Sequence, residues 1–169
     1  MKDYYHDSWI EDGTTAIGYR TVEWRTPAKT APRKLAEVIP GTPIPPLVRG
    51  PITRTEIVKY AAASWDFNPI HHDETFARGA RSGCIIAHGM MVMGYLGRVA
   101  TAYLGTAEFD RFKVRFVDIT RPGDTLRVEG RVEKVTASPR GGVVVLSVRA
   151  RKETGDLVAE GDITATLPE

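Results

Sequence analysis

The sequence predicts an α+β fold in which an antiparallel sheet curls around one long, buried helix. The first observation is the segment 88–104, which is apolar on nearly all sides, a pattern typical of a helix buried on most faces. The second is the change to alternating apolar residues after this segment, which indicates strands. The third is the short spacing of turn signals between those strands, because short connections join antiparallel neighbours.

The composition is that of an ordinary globular domain. The chain has 169 residues, of which 42% are apolar and 26% charged, and its net charge is +2. This length suits one domain, and so small a net charge excludes an electrostatic footprint for nucleic acid. The single cysteine excludes an internal disulfide and suits a reducing compartment. No apolar run is long enough for a membrane span, and the start lacks the order of a secretory signal. We therefore expect a soluble, cytoplasmic protein.

Residues 1–44 are predicted to form a proline-rich N-terminal arm, and residues 45–169 the globular domain. Prolines concentrate between positions 27 and 50, where a fixed φ and a missing N–H favour an extended segment. Residues 14–24 have the pattern of a strand, and the arm could also supply a fifth strand to the sheet. Aromatic residues are frequent near the start of the chain, so we expect part of the arm to dock on the domain or on a partner chain.

The domain is predicted to begin with an amphipathic helix over residues 54–64. Thr53 and Glu56 have the spacing of a capping box, in which a hydroxyl and a carboxylate bind the first free amides of the helix. Pro69 prevents the helix from continuing, because it lacks the helical N–H donor. Asp73 can then cap a second, short helical turn.

The long central helix is predicted over residues 88–104, and Gly105 ends it. Beyond it, apolar residues alternate in four segments that turn signals separate. The four predicted strands contain residues 111–116, 126–132, 144–150 and 157–167. Their apolar face is predicted to pack on the helix.

The segment from Asp66 to Asp73 has the densest set of chemically capable side chains. On a helix, Asp66 and His71 would lie about 140° apart, but Pro69 breaks the helix and allows a loop to bring them together. A carboxylate and an imidazole that converge on one water form an acid/base pair, and imidazole titrates near neutral pH. The alternative is structural, with Asp66 capping a turn and His71 buried with its hydrogen bonds satisfied.

The start of the central helix, residues 87–90, is a second candidate feature. Free amides at a helix N-terminus carry the positive end of the helix dipole. Gly89 has no Cβ, so a ligand can approach its N–H closely, as an oxyanion hole requires. The alternative is an N-cap followed by a glycine that serves packing only.

Other kinds of site have weaker support. His71, His72, Asp73 and His88 are metal-ligating residue types, but adjacent histidines on extended backbone point in opposite directions, which disfavours shared ligation. Cys84 could be a nucleophile, yet a lone cysteine is more often a small apolar residue. The sequence also has no glycine-rich phosphate loop. We therefore predict neither a metal nor a nucleotide site.

Two motifs resemble those of the MaoC-like dehydratase family, the (R)-specific enoyl-thioester hydratases. They are YAAASWDFNPIHHD at residues 60–73 and IAHGM at residues 86–90. The usual family motifs are A-S-G-D-x-N-P-x-H and I-A-H-G-M, and the resemblance covers residues 45–167. It implies a hot-dog fold, in which an antiparallel sheet wraps around a long helix and chains normally pair into dimers.

The resemblance also implies a reaction and the residues that carry it. The family adds water reversibly to a trans-2-enoyl thioester to give a (3R)-3-hydroxyacyl thioester, without a metal or other cofactor, as in fatty acid metabolism. Asp66 and His71 would be the catalytic pair, and the Gly89 N–H would bind the thioester carbonyl. The remaining candidates, for substrate contacts, are Trp65, Asn68, His88 and Met90. The thioester would belong to CoA or to an acyl-carrier protein, and the Met-rich central helix could help to line an acyl channel.

The sequence departs from the family pattern in three ways, at Trp65, at Gly97 and in its N-terminal arm, which could close over the acyl channel or add partner contacts. Trp65 replaces the usual glycine before the aspartate, and its indole would require an unusual backbone angle, desolvate the carboxylate or narrow the acyl channel. Gly97 stands where some members carry a serine. His72 next to His71 resembles members that work as paired unlike subunits, so the partner could be a second copy or a related hot-dog chain.

Two alternative functions remain open at this stage. One is a hot-dog acyl-thioester hydrolase, which would share the carbonyl-binding helix start but aim water at C1 instead of C3. The other is a non-catalytic subunit of a heteromeric hydratase, which would supply surface to an active sister chain.

Overall fold

The computed structural model describes residues 3–11, 14–22, 31–105, 107–138 and 141–168. Its helices are α1 (Arg54–Ser64), α2 (Glu74–Gly79) and α3 (Gly89–Leu104), and it has short 3-10 turns at Leu35–Glu37 and Pro69–His71. Its strands are β1 (Asp3–Glu11), β2 (Thr14–Val22), β3 (Pro43–Arg49), β4 (Glu108–Phe116), β5 (Leu126–Ser138), β6 (Gly141–Lys152) and β7 (Leu157–Leu167). Within these ranges, none of the helices has the length and apolar character needed to cross a bilayer.

Five of the strands form one antiparallel sheet in the order β3-β5-β6-β7-β4. The β5–β6 and β6–β7 hairpins occupy its centre, where Val128 lies opposite Ala150 and Leu146 opposite Ile163. The α+β class and the four strands expected after the central helix are confirmed, because the alternating apolar pattern and the short loops are local features of the sequence.

Helix α3 packs against this sheet and forms the core with it. Leu96, Ala100 and Leu104 of α3 have no exposed surface, as expected for a helix that is apolar on most sides. Alternate residues of the central strands face it. The fully buried ones are Leu126, Val128, Val132, Val144, Leu146, Ala150, Ala159, Ile163, Ala165 and Leu167. Each buried side chain of this size contributes roughly 1.5–3 kcal/mol, so the helix and sheet form a firm platform for the loops at the helix start.

The segment Pro43–Arg49 differs from its prediction, because it forms strand β3 instead of part of an extended linker. It pairs with β5 at one edge of the sheet, and a register shift between Ile44 and Leu47 accommodates Pro45 and Pro46. Prolines lack the N–H donor, which an edge strand tolerates. Ile44 is buried in the core, and this burial holds the segment in the sheet. The sheet thus has a fifth strand, but most of it lies beyond residue 44, where the predicted arm ends.

The N-terminal residues form a separate two-stranded antiparallel hairpin. In it, Asp3 of β1 lies opposite Val22 of β2, and Glu11 lies opposite Thr14. The strand expected over residues 14–24 is thus present through residue 22. The aromatic side chains expected to dock lie outside the described part of this segment, and their docking stays a prediction.

The capping box predicted at the start of α1 is present. Thr53 Oγ1 accepts a hydrogen bond from the Glu56 N–H at 3.1 Å, and Glu56 Oε2 accepts one from the Thr53 N–H at 2.8 Å. These two bonds satisfy amides that the helix leaves free. They fix the first turn of α1, whose other end delivers the chain to the candidate site.

Candidate active site

The loop between α1 and α2 folds back through local hydrogen bonds. Trp65 ends α1 in the left-handed region, with φ 57° and ψ 22°. Asp66 Oδ1 accepts a hydrogen bond from the Asn68 N–H at 3.3 Å, and Asn68 Oδ1 caps the following 3-10 turn, in which Pro69 takes the first position. The reversed chain brings the carboxylate of Asp66 and the imidazole of His71 to the same place.

The Asp66 and His71 side chains lie within reach of one water molecule. His71 Nε2 is 3.9 Å from Asp66 Oδ2. His71 is 8% exposed, whereas half of the Asp66 side chain is exposed. His71 Nδ1 donates to Ile86 O at 2.8 Å, since a carbonyl can only accept, and the neutral ring therefore keeps its lone pair on Nε2. A water beside the gap can hydrogen-bond to both atoms.

His88 packs directly against this pair. Its ring stacks on the His71 ring with centroids 3.7 Å apart and an interplanar angle of 23°, and the ring of Tyr60 lies 5.0 Å away on a tilted plane. Its Nε2 donates to Asp66 O at 3.1 Å. His88 is 1% exposed, and this burial is the main cause that lowers its pKa, which the neighbouring His71 lowers further. The buried neutral ring therefore supports the Asp66–His71 pair from the protein interior. Because it is 1% exposed, it does not offer the substrate contact suggested by the sequence.

Gly89 follows His88 and begins α3. The His88 side chain accepts no hydrogen bond from the helix, so no side-chain cap competes for the amides of the first turn. A Cβ added to Gly89 would lie 3.3 Å from Phe116 Cε1. This ring of β4 therefore leaves room for a glycine and little more, while the N–H stays available to an oxygen.

An open, mostly apolar groove of about 520 Å³ adjoins these groups. It is lined by Ile70, Arg81, Ser82, Ile86, Phe116, Val117, Asp118 and Ile119. Ile86 is the residue whose carbonyl binds His71, and Phe116 is the ring over Gly89. The groove thus adjoins both the imidazole and the helix start. Its apolar walls come from isoleucine, valine and phenylalanine. A second apolar groove of about 410 Å³ includes Met91 of α3, so the part expected of the methionines in an acyl channel stays a prediction.

The site also has the residue types of a metal centre. One ring nitrogen each of His71 and His88 and a carboxylate oxygen of Asp66 lie within 4.8 Å of one another. The two rings are stacked with planes 23° apart, so their lone pairs lie in nearly parallel planes, which disfavours their convergence on one tetrahedral ion. His72 donates to a backbone carbonyl, and Asp73 caps α2. The arrangement suits proton transfer better than metal binding.

The remaining sequence candidates lie around the site in different ways. Trp65 is 85% exposed and meets the Phe67 ring edge-on at 5.6 Å. Asn68 uses its side chain to cap the loop. Met90 is exposed in the first turn of α3, whereas Met91 is buried.

Sequence reasoning missed two contributions to the site, the Ile86 carbonyl and the Phe116 ring. The alternating pattern of β4 gives only the side of the sheet on which a residue lies. It does not show which residue of the strand reaches the helix start. Both contributions depend on tertiary packing and have no signal of their own in the sequence.

Comparison with known proteins gives one family and a consistent set of relatives. Residues 36–154 match the family model described as MaoC like domain. The peroxisomal hydratase-dehydrogenase-epimerase of Saccharomyces cerevisiae is 37% identical over 82 residues, which are 48% of this chain but 8% of the yeast protein. The chain thus spans less than a tenth of that relative's length.

Solved structures have the same architecture. The R-hydratase PhaJ1 of Pseudomonas aeruginosa superposes with a TM-score of 0.72 at 25% identity, over 82% of this chain and 87% of that one. The ChsH1-ChsH2 complex of Mycobacterium tuberculosis superposes with a TM-score of 0.69 at 24% identity, over 76% of this chain and 98% of that one. The second likeness concerns the fold alone.

Proposed function

This chain belongs to the family of MaoC-like domains, and from that premise we propose that it is an (R)-specific hydratase/dehydratase, a hydro-lyase that interconverts trans-2-enoyl and (3R)-3-hydroxyacyl thioesters. The observation that carries the proposal is the 3.9 Å separation of Asp66 Oδ2 and His71 Nε2 beside the start of α3. An acid/base pair and a helix-start amide are the groups that addition of water to an enoyl thioester needs.

In the proposed mechanism, the Gly89 N–H binds the thioester carbonyl. As water attacks C3, negative charge moves through C2 onto the carbonyl oxygen, and the amide and the positive end of α3 stabilise it. One donor of this kind is worth about 3 kcal/mol of transition-state stabilisation. The Phe116 ring supports a glycine at this position, because an added Cβ would lie 3.3 Å from its Cε1.

His71 and Asp66 carry the protons. His71 donates through Nδ1 to Ile86 O, so Nε2 is free to take a proton from the attacking water. The nearby carboxylate of Asp66 stabilises the imidazolium that results. The pair then returns one proton to C2, so its protonation is the same before and after the cycle. Because the two side chains lie 3.9 Å apart, they would approach a bound substrate from one side, and we expect syn addition.

The test is hydration of crotonyl-CoA and of a longer trans-2-enoyl-CoA, followed by the loss of conjugated absorbance. Asp66→Asn and His71→Gln should each lower kcat about 100-fold or more, the usual scale for a positioned acid or base. Asp110→Asn is the matched control, because Asp110 is exposed on β4 and bonds Thr166; it should keep full activity. Unchanged activity in both site variants contradicts the proposal, and release of free thiol identifies a hydrolase instead.

The finer features of the proposal concern partner, carrier and compartment. We propose a second hot-dog chain as the partner, either a copy or a related subunit, since a structural neighbour is a two-protein complex. The substrate is proposed to be a thioester of CoA or of acyl-carrier protein. The cytoplasm is proposed as the compartment because the one cysteine, Cys84, is free. Activity of the purified chain alone would contradict an obligate role as a non-catalytic subunit.

A further inference from the structure

His88 is tied to both halves of the acid/base pair. Its ring lies flat on the ring of His71 at 3.7 Å, and its Nε2–H donates to the backbone carbonyl of Asp66 at 3.1 Å. It is also the residue directly before Gly89. One buried side chain therefore connects Asp66, His71 and the Gly89 amide, which the proposed reaction needs at fixed relative positions.

Two hydrogen bonds cross between the segments that form the site. His71, from the loop after α1, donates to the carbonyl of Ile86, before α3. His88, at the start of α3, donates to the carbonyl of Asp66 in that loop. Each histidine thus holds the backbone of the segment that carries the other. Ala87 is held in turn by the carbonyl of Thr120 at 2.8 Å, which anchors the second segment to the chain after β4.

The surroundings of His88 keep its ring neutral. The side chain is almost completely buried, and desolvation lowers its pKa. The charged and titratable groups that face it are Asp66, His71 and His72, and Tyr60 packs on its ring. A charged His88 would repel the imidazolium that forms on His71, because the two rings are stacked in contact. A neutral ring can carry the hydrogen bond without that repulsion.

We propose that His88 is a positioning residue for the hydration reaction, which holds Asp66, His71 and the Gly89 amide in one fixed arrangement. This inference rests on the proposed function. His88 touches neither water nor substrate in this assignment. It acts through the loop backbone at Asp66 and through the plane of the His71 ring, and a displacement of these groups by about 1 Å is enough to lower a rate about 100-fold.

Two substitutions separate the hydrogen bond from the ring stack. His88→Phe keeps a flat ring against His71 but has no donor for the Asp66 carbonyl. His88→Gln loses the stack but places an amide N–H close to the position of Nε2. We expect His88→Phe to lower kcat about 10- to 100-fold with KM within about threefold of wild type. His88→Gln restores a donor for the Asp66 carbonyl, so its kcat should be at least about fivefold higher than that of His88→Phe.

The pH profile of kcat/KM distinguishes positioning from proton transfer. Because His88 is neutral and does not exchange a proton in this assignment, His88→Gln should keep the apparent pKa values of the wild-type profile. Loss of one limb of the profile in His88→Gln would make His88 itself an acid or base and would overturn the proposal.

Controls separate this effect from loss of stability. Val99→Ala removes buried volume from α3 far from the site, and it should lower Tm while kcat stays unchanged. If His88→Phe does not fold, His88→Asn replaces it, because its shorter side chain does not reach the Asp66 carbonyl and should be less active than His88→Gln. The proposal is overturned if the variant without a donor, His88→Phe or its substitute His88→Asn, has the kcat of wild type. It is also overturned if His88→Gln loses as much kcat as that variant.

A measurement without substrate keeps this inference separate from the proposed function. Imidazole ¹⁵N NMR should give His71 one set of signals with a protonated Nδ1 in wild type. The signals should shift or broaden in His88→Gln, which loses the stacked ring, and in His88→Phe, which no longer holds the loop through the Asp66 carbonyl. An inactive wild-type protein with this pattern contradicts the hydratase assignment and leaves the positioning role standing. An active wild-type protein whose His71 signals are the same in all variants contradicts the positioning role alone.

Discussion

Trp65 has the backbone conformation that the usual family glycine suggests for its position. Its φ of 57° is the one positive value among the described residues other than glycine, and a large side chain disfavours this region. The indole is exposed and touches Phe67 only along an edge, so packing offsets little of this strain. A strained residue next to Asp66 agrees with the tendency of such conformations to occur beside functional groups.

Trp65→Gly should stabilise the fold relative to Trp65→Ala. Both substitutions remove the indole and its Phe67 contact, but only glycine removes the Cβ that the left-handed conformation disfavours. We expect the free energy of unfolding to be about 1 kcal/mol higher for the glycine variant, as measured by urea denaturation of the pair. Equal stability would mean that the alanine backbone has relaxed out of the left-handed region.

Gly89→Ala should block the site and leave the fold intact. The added methyl would lie 3.3 Å from Phe116 Cε1, in the approach to the amide, while alanine itself favours a helix. We expect kcat/KM for an enoyl-CoA to fall at least about 10-fold, a part of the effect of one oxyanion donor, with little change in Tm. Gly94→Ala is the matched control on the same helix, because no atom lies within 4 Å of its added Cβ; it should keep activity.

The candidate pair could be found from sequence because its signals are local. Pro69 between Asp66 and His71 predicts a loop, and Asp73 predicts the cap of α2, which is present. The cap that Asn68 provides for the 3-10 turn was not predicted. The stack of His88 on His71 could not be found in this way. It joins residues on two segments whose meeting depends on the packing of the whole helix start.

At the scale of elements, the loop after β4 is fastened to the end of β6 by a charge cluster. Lys152 Nζ lies 2.9 Å from Asp118 Oδ2 and 3.3 Å from Asp124 Oδ2. Burial lowers the pKa of Lys152, but the two carboxylates outweigh it and raise the pKa overall. The hydrogen bond from Lys152 is the main cause that lowers the pKa of Asp118. Asp118 also lines the groove, so this cluster supports one of its walls.

Lys152→Met should lower stability and flatten its dependence on acid pH. Since the pKa of Asp118 is lower in the folded state, its contribution is present above about pH 4 and is lost as the pH falls further. We expect a loss of at most about 1 kcal/mol at pH 7, because Asp118 is 43% exposed and solvent screens the pair. Chemical denaturation between pH 3 and 7 measures both effects. The exposed Lys134→Met is the control, and an unchanged slope in Lys152→Met would contradict the assignment.

The elements themselves were predictable where one period dominates. Helix α1, helix α3 and strands β4–β7 follow from capping, all-round apolar character and alternation. Strand β3 was not predictable, because Pro45 and Pro46 suggest an extended linker. Only the burial of Ile44 against the core reveals a strand. Tertiary burial overrides local preference there.

At the scale of the whole molecule, the two edges of the sheet differ. The prolines of β3 remove donors from one edge, which protects it from pairing with another chain. The other edge, β4, has exposed Phe109 and Phe116. An edge strand with unpaired N–H and C=O groups is a template for pairing with another chain, so we expect the proposed hot-dog partner to pair along β4.

Phe109→Glu should therefore weaken association, and Val48→Glu on β3 should not. Both replace an exposed apolar residue of an edge strand by a carboxylate, so they match in chemistry and differ in edge. Light scattering should give twice the 18.6 kDa of one chain for the wild type and for Val48→Glu if the partner is a second copy. For a mixed pair, the same comparison applies to co-purification with the related chain. Dissociation of the β3 variant alone would assign the interface to the opposite edge.

The reciprocal carbonyl bonds of the two histidines have a consequence for how the protein can be altered. They join residues 66–71 directly to residues 86–88, so the intervening stretch, including α2, works as a bridge whose own length does not set the chemistry. We expect that this stretch can be lengthened, shortened or exchanged between related proteins while the two histidine hydrogen bonds still join its ends. The stretch contributes Arg81 and Ser82 to the groove, so its exchange would change the shape of the groove while Asp66 and His71 keep their places.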